Sequence, residues 1–200
     1  MDFEAKAALA LGDSARAVTC YEGLLTTHQK LAEMEPDRAD YERDLSLTLE
    51  RLGSLYVMLG QSEKAREYFS RDLEIAERLA KTEPDRADYQ RHLSVTLERL
   101  GDLYVMLGQG EKARESFQNS LAIIERLAKT ESDRADYQRD LIVSLAKLAE
   151  AVPATAQASL SRALAIARTL QTSERLAPQD AWMVEDLERR LAAAPPSSPS

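Results

Sequence analysis

The sequence predicts an all-α solenoid, a stack of antiparallel helix hairpins closed by a C-terminal capping helix. Three observations predict it. Tyr41 to Asp88 and Tyr89 to Asp136 align without gaps at a period of 48, and 36 of the 48 positions are identical. Self-similarity at such a period marks stacked supersecondary units. Within a unit the apolar residues step by three and four, through Tyr89, Leu93, Leu97, Leu100, Tyr104 and Leu107. Ala113, Phe117, Leu121, Ile124 and Leu127 repeat the pattern, so each unit holds two amphipathic helices. Finally, Ala, Leu, Glu, Arg and Lys dominate, with seven Gly and seven Pro in 200 residues, a composition that favours helix.

In chain order, helices are expected at 2–11, 13–34, 38–59, 62–82, 86–107, 110–130, 134–150, 154–175 and 179–193. The front is a partial copy. LGDSARA at 11–17 matches LGQSEKA at 59–65, and MEPDRADY at 34–41 matches TEPDRADY at 82–89. Met1 falls inside what is expected to be the first helix of a unit, so the front reads as truncated. Gly108-Gln109 separates the two helices of a full unit, and so short a break gives an antiparallel hairpin. In the connector TEPDRAD, Pro84 disfavours further helix and Asp85 is expected to N-cap the next one. Ser132 replaces Pro84 one unit later, so the proline assists the break without being required.

Tyr137 restarts the unit, and the register loses five residues after Leu148. Pro153 is expected in the first turn of a helix, where proline is tolerated. Pro178 to Leu187 has the spacing of Pro84 to Leu93, which gives a last half unit. Trp182 and Met183 are expected to help it close the array. Units therefore run at about 1–40, 41–88, 89–136 and 137–177, with a capping helix at 178–193, all in one domain spanning 1–193. The tail APPSSPS at 194–200 is disordered by composition.

The residues Leu100-Gly101, Tyr104, Ala113 and Phe117, with Leu52-Gly53, Tyr56, Ala65 and Phe69, carry a family resemblance. The unit resembles the tetratricopeptide repeat, whose common form has 34 residues. This one looks like the elongated version common in multidomain bacterial proteins. The resemblance implies a right-handed superhelix whose first helices line a concave face that receives peptides or helices. Packing accounts for the signature independently. A glycine inside a helix costs about 1 kcal/mol relative to alanine. Gly53 and Gly101 are expected to admit the second helix closely, against Ala65 and Ala113, while Tyr56, Tyr104, Phe69 and Phe117 fill the space between hairpins.

Several chemistries are disfavoured. The net charge is −8, with Arg and Lys interleaved among Glu and Asp, which argues against a nucleic-acid partner. No run approaches the roughly 18 apolar residues of a membrane span. The start lacks a secretory signal, and the single Cys20 excludes an intramolecular disulfide, so a reduced, cytoplasmic protein is expected. His92 stands where other units have Asp44 and Asp140, and is expected to be solvated. His28 is expected to be a partly buried helix residue. Neither histidine has the spacing of a metal site, and Cys20 lacks a histidine partner. Gly108-Gln109-Gly110 is a turn and not a phosphate loop. No catalytic, cofactor-binding or metal-binding residue is assigned, and no enzyme activity is expected.

The family's groove positions, carried onto this sequence, are Leu47, Glu50, Ser54, Val57 and Met58 in one unit. In the next they are Val95, Glu98, Asp102, Val105 and Met106. The same helical stripe reaches Arg43, Arg91 and Arg139. This mixed surface suits an extended peptide or an amphipathic helix carrying basic groups. The Lys and Asn of the family's clamp for a C-terminal carboxylate are missing. The expected function is a non-catalytic scaffold holding a protein or peptide partner in this groove. The alternative is a structural or regulatory module, which self-associates through an uncapped N-terminal end or packs against other domains of a larger parent.

Overall fold

The computed structural model describes residues 2–194, and every regular element among them is helical. The tail expected at 194–200 lies outside the described residues except for Ala194. The chain falls into two compact units divided between Leu107 and Gly108.

Unit 1 contains α1 (Asp2–Ala10), α2 (Ser14–Met34), α3 (Ala39–Met58), α4 (Ser62–Thr82) and α5 (Ala87–Met106). Each packs on the next, and α3 also touches α5. Unit 2 contains α6 (Gly110–Thr130), α7 (Ala135–Ala151), α8 (Ala156–Thr172) and α9 (Trp182–Ala193), again packed in order. Pro153–Thr155 forms the 3-10 turn that leads into α8, as expected for a proline at a helix start. The helix expected to reach 175 stops at Thr172, because Glu174 enters the left-handed region at φ +57°.

Glycine makes the first two hairpin turns of unit 1. After α3 the chain reverses at Gly60, φ +69°. The Gly60 amide donates to the Val57 carbonyl at 2.9 Å and the Gln61 amide to the Tyr56 carbonyl at 2.9 Å. This pattern satisfies the last helical carbonyls and needs a residue without a Cβ penalty. Gly12 does the same after α1.

The starts of α3, α5 and α7 correct one expectation. Asp85 does not cap α5. The N-cap is Arg86, and its side chain makes no capping bond. Instead, the Arg86 guanidinium reaches forward to grip Asp88 through two bonds of 2.9 Å and lies 4.4 Å from the Tyr89 ring centre. Arg38 grips Asp40 and covers Tyr41 in the same way, and Arg134 does so with Asp136 and Tyr137. The acid thus sits in the first turn, where the helix dipole favours negative charge, and the cation stacks on an aromatic face. Arginine hydrogen bonding holds the carboxyls of Asp40 and Asp88 below the usual carboxylate range. A depressed folded-state pKa stabilises the chain above the ordinary aspartate range, and that contribution is lost as pH falls through the folded value.

Between hairpins, Tyr56 on α3 is 4% exposed and donates to Glu22 of α2 at 3.1 Å. Burial, then Glu22, push its hydroxyl up to about 12. Tyr68 of α4 stacks on it, with ring centres 5.3 Å apart. Two expectations at the C-terminal end separate. Met183 and Leu187 of α9 are buried, but Trp182 is 59% exposed and does not close the end. It is the first residue of α9, about 100° round the helix from Met183.

The close approach of α3 and α4 also differs from expectation. It is the Phe69 ring, not Ala65, that occupies the space left at Gly53. A Cβ there would lie 2.5 Å from two Phe69 ring carbons. Helical side chains lean toward the N-terminus, so Phe69 covers the surface one turn back, at the level of Ala65. Phe69 is 1% exposed, leaving the ring little room to move. Gly53→Ala gains helix propensity of about 1 kcal/mol but overpacks the ring by roughly 1–3 kcal/mol. A net loss of about 1 kcal/mol is expected in urea unfolding. In a Phe69→Leu background the same substitution is expected to be neutral or stabilising.

Candidate partner-binding cleft

The predicted stripe runs along α3 and α5 in unit 1, and much of it is tied together. Arg43 approaches Asp88 at 3.8 Å. Glu50 accepts from Arg99 of α5 at 3.2 Å and from Ser54 at 3.1 Å. The Glu50 side chain is 16% exposed. The Arg99–Glu50 pair repeats an earlier one, since Arg51 pairs with Asp2 of α1 at the same sequence separation. Arg43 and Glu50 therefore join first helices to each other.

Farther along the same helices the surface opens. A cleft of about 260 Å³ lies between α3 and α5. Of the predicted residues, Ser54, Met58, Asp102 and Met106 line it, together with Val57. Leu47, Val95, Arg91 and Glu98 lie outside its lining and are partly buried. Arg139 belongs to unit 2, where it donates to Asp180 at 2.8 Å, a carboxylate 3% exposed. The cleft also takes in Phe69, Leu103 and Arg99, which sequence reasoning did not place there. The signal for Phe69 was the glycine opposite it. The signal for Arg99 was the recurrence of an acid forty-nine residues before each of Arg51 and Arg99. Met58 and Met106 are 67% and 59% exposed, and Val105 is 53% exposed. Both helices thus end in exposed thioethers at the cleft mouth, adaptable side chains suited to contact.

Beneath the stripe lies a second cluster. Asp72 of α4 is fully buried. Its Oδ1 accepts from the Ser46 hydroxyl of α3 and from His92 Nε2 of α5 at 3.0 Å, and Oδ2 accepts from Thr96 at 2.7 Å. His92 Nε2 also lies 2.9 Å from Ser46 Oγ. The histidine side chain is 11% exposed, which overturns the expectation that it is solvated. In this copy the helix opposite carries a buried acid, and the imidazole turns inward to meet it. His28, expected to be partly buried, bonds Thr48 at 2.9 Å.

Ser46, His92 and Asp72 together do not form a nucleophilic triad. In a triad one imidazole nitrogen faces the serine and the other faces the acid. Here Nε2 faces both, the serine donates directly to the acid, and Ser46 is fully buried. The cluster joins three helices and is closed to substrate. Among the described residues no group of three or more His, Cys, Asp or Glu is placed to hold a metal, and no helix is long and apolar enough to cross a membrane.

The profile of the tetratricopeptide repeat matches residues 48–78. The chain carries a tetratricopeptide repeat. The matched span covers most of α3, its turn and most of α4, and so includes Gly53, Tyr56, Ala65 and Phe69. A tetratricopeptide repeat points to a protein–protein interaction module. Among curated proteins none matches the sequence. The crystal structure of BtubC (BKLC) from P. vanneervenii is similar at a TM-score of 0.49 and 17% identity, over 98% of this chain and 80% of that one. That likeness is too distant to inform the partner.

Between the two full copies the Asp72 joint belongs to one position. One unit later, Ser120 stands in place of Asp72 and Asp140 in place of His92. His92→Asp would set a second carboxylate beside a buried one, and is expected to cost about 3 kcal/mol. Adding Asp72→Ser recreates the neighbouring combination and is expected to recover more than half of that loss. Urea unfolding of both single variants and the double variant gives the coupling. Additive effects would refute a specific Asp72–His92 pairing.

Proposed function

We propose that the chain is a non-catalytic interaction scaffold that holds a peptide or protein segment in the α3/α5 cleft. The observation that carries this reading is the exposed pair Met58 and Met106 at the mouth of a cleft floored by Phe69 and Leu103. Exposed apolar surface around a concave site is costly to leave in water, and is suited to a partner's anchor residue. Arg43, Leu47, Glu50, Arg91, Val95 and Glu98 belong to this proposal as the flanking stripe. Arg139 is the predicted contact of unit 2.

Panning a random peptide library on the whole chain tests the reading. Enriched peptides are expected to lose about tenfold or more in affinity for the Met58→Glu, Met106→Glu double variant, while its melting temperature stays near the parent's. Peptides that bind both proteins equally would place the site elsewhere.

Self-association is favoured by one observation. Phe3 of α1 is 83% exposed, and Leu11 after it is 84% exposed. If this end mediates assembly, the mass measured by sedimentation rises with concentration and Phe3→Ser abolishes the rise. A mass independent of concentration removes this reading.

A further inference from the structure

The helices α1 and α9 are partial first helices, and they cover complementary parts of one. α1 has nine residues and α9 twelve, against twenty in α3 and in α5. The 48-residue register aligns α1 with residues 50–58, the C-terminal part of α3. The spacing that relates 178–187 to 84–93 aligns α9 with residues 40–51, the N-terminal part. The two overlap only at Ala192 and Ala193, and end to end they match the length of α3.

Each helix leaves the part it lacks uncovered. In an antiparallel hairpin the nine residues of α1 accompany only the N-terminal part of α2, and beyond Leu25 no residue of α2 is buried. Leu31 and Ala32 are partly buried, whereas Leu79 and Ala80 of α4, at the same positions, are buried. Tyr41 is likewise partly buried where Tyr89 is buried. What α2 lacks is the N-terminal part of a first helix, the part α9 represents. In unit 2 a cleft of about 300 Å³ lies at the end of α9, against the end of α7 and the start of α8. Ala149, Pro153, Ala156 and Leu160 line it, and its charged residues, Glu150 and Arg190, pair with each other at 2.8 Å. Leu191 is partly buried, although it aligns with the buried Leu49 and Leu97. What α9 lacks is the C-terminal part of a first helix, the part α1 represents.

The side chains depart from the repeat in a matching way. Inside unit 1, neighbouring first helices are joined by an acid and an arginine forty-nine residues later, Asp2 with Arg51 and Glu50 with Arg99. Phe3 holds the arginine's place in α1, and Ala146 holds the acid's place in α7. An α1 seated past the end of α9 would set Phe3 toward Ala146, an apolar contact where the repeat otherwise uses an ion pair. Phe3 and Leu11 are both strongly exposed, which suits burial in such a joint.

Resting on the reading of self-association, we infer that copies of this chain join head to tail. α9 of one copy and α1 of the next stand end to end as a single first helix, between α8 of the one and α2 of the other. The joint restores the neighbour on which each solenoid unit relies. The two surfaces differ, so the joint is heterologous, and each assembly keeps one free end of each kind unless it closes into a ring. The register asks for a helix of α9's kind beside α2, and this chain carries one.

Sedimentation of the whole chain over a range of concentrations, with two variants, tests the joint. Phe3→Glu blocks the α1 side, and Ala193→Glu with Ala194→Glu blocks the cleft at the end of α9. Phe3 and Ala193 are exposed, so both variants are expected to melt near the parent's temperature. The parent's mass is expected to rise with concentration. Each variant alone is expected to associate at least about tenfold more weakly and to stay a monomer. An equal mixture of the two is expected to reach the mass of a dimer and stop there, because it retains one intact surface of each kind. A parent mass independent of concentration removes both the self-association reading and this inference. If Phe3→Glu stops association and the Ala193, Ala194 variant associates like the parent, self-association through α1 stands and its pairing with α9 falls. A mixture that remains monomeric, or that grows beyond a dimer, overturns the head-to-tail joint while leaving the parent's association in place.

Discussion

The seating of the Phe69 ring on Gly53 is the contact on which the rest of unit 1 depends. It sets how closely α4 runs against α3, because a Cβ would collide with the ring at 2.5 Å. Since α5 packs on α4, that spacing also governs where α5 lies beside α3. Phe69 then appears at the floor of the cleft between α3 and α5. A single aromatic side chain therefore belongs both to the hairpin's packing and to its candidate binding surface. Glycine inside a helix lowers helix propensity. Here the lost propensity is offset by burying an aromatic ring, which removes far more apolar surface from water than a methyl would.

The two full copies keep Gly53/Gly101, Ala65/Ala113 and Phe69/Phe117, and differ at residues that join one hairpin to the next. Asp72 becomes Ser120 and Asp44 becomes His92, both among the twelve positions that differ. In unit 1 these substitutions meet at a buried joint, where one carboxylate takes bonds from three helical neighbours. A buried acid is tolerated when donors replace its lost water, and removing a donor is then costly. Such a joint discriminates between neighbours, because a hairpin carrying Asp in place of His would put two acids together. The variation between copies thus has a packing meaning before it has a binding one.

The fold was legible because helix periodicity and the 48-residue repeat are properties of the sequence itself. What escaped depended on geometry that periodicity does not carry. Asp85 is a good capping residue by type, but Arg86 takes the cap and binds forward to Asp88 and Tyr89. His92 was placed by analogy with aspartates in other units, and the analogy failed because its partner Asp72 also differs there. Trp182 was expected to help Met183 close the array, but of the two only Met183 is buried. In the cleft, Ser54, Met58, Asp102 and Met106 were visible as a stripe. Phe69 and Arg99 were not, because Phe69 arrives from α4 and Arg99 through an ion pair that joins α5 to α3.

The stripe itself is not uniform in kind. At its N-terminal part Arg43 faces Asp88, and midway Glu50 holds Arg99, so those charges help bind α3 to α5. Replacing either would disturb the scaffold and the surface together, which makes such substitutions poor probes of recognition. Toward the C-terminal ends of the helices the cross-links give way to Ser54, Met58, Asp102 and Met106 around an open cleft. There the copies differ in charge while the thioethers are retained, since Ser54 stands where the next unit has Asp102. A binding surface built on a repeat must break the repeat's symmetry to prefer one ligand orientation. In the cleft proposed as a binding site, one acid on the α5 wall and a hydroxyl on the α3 wall make such a break.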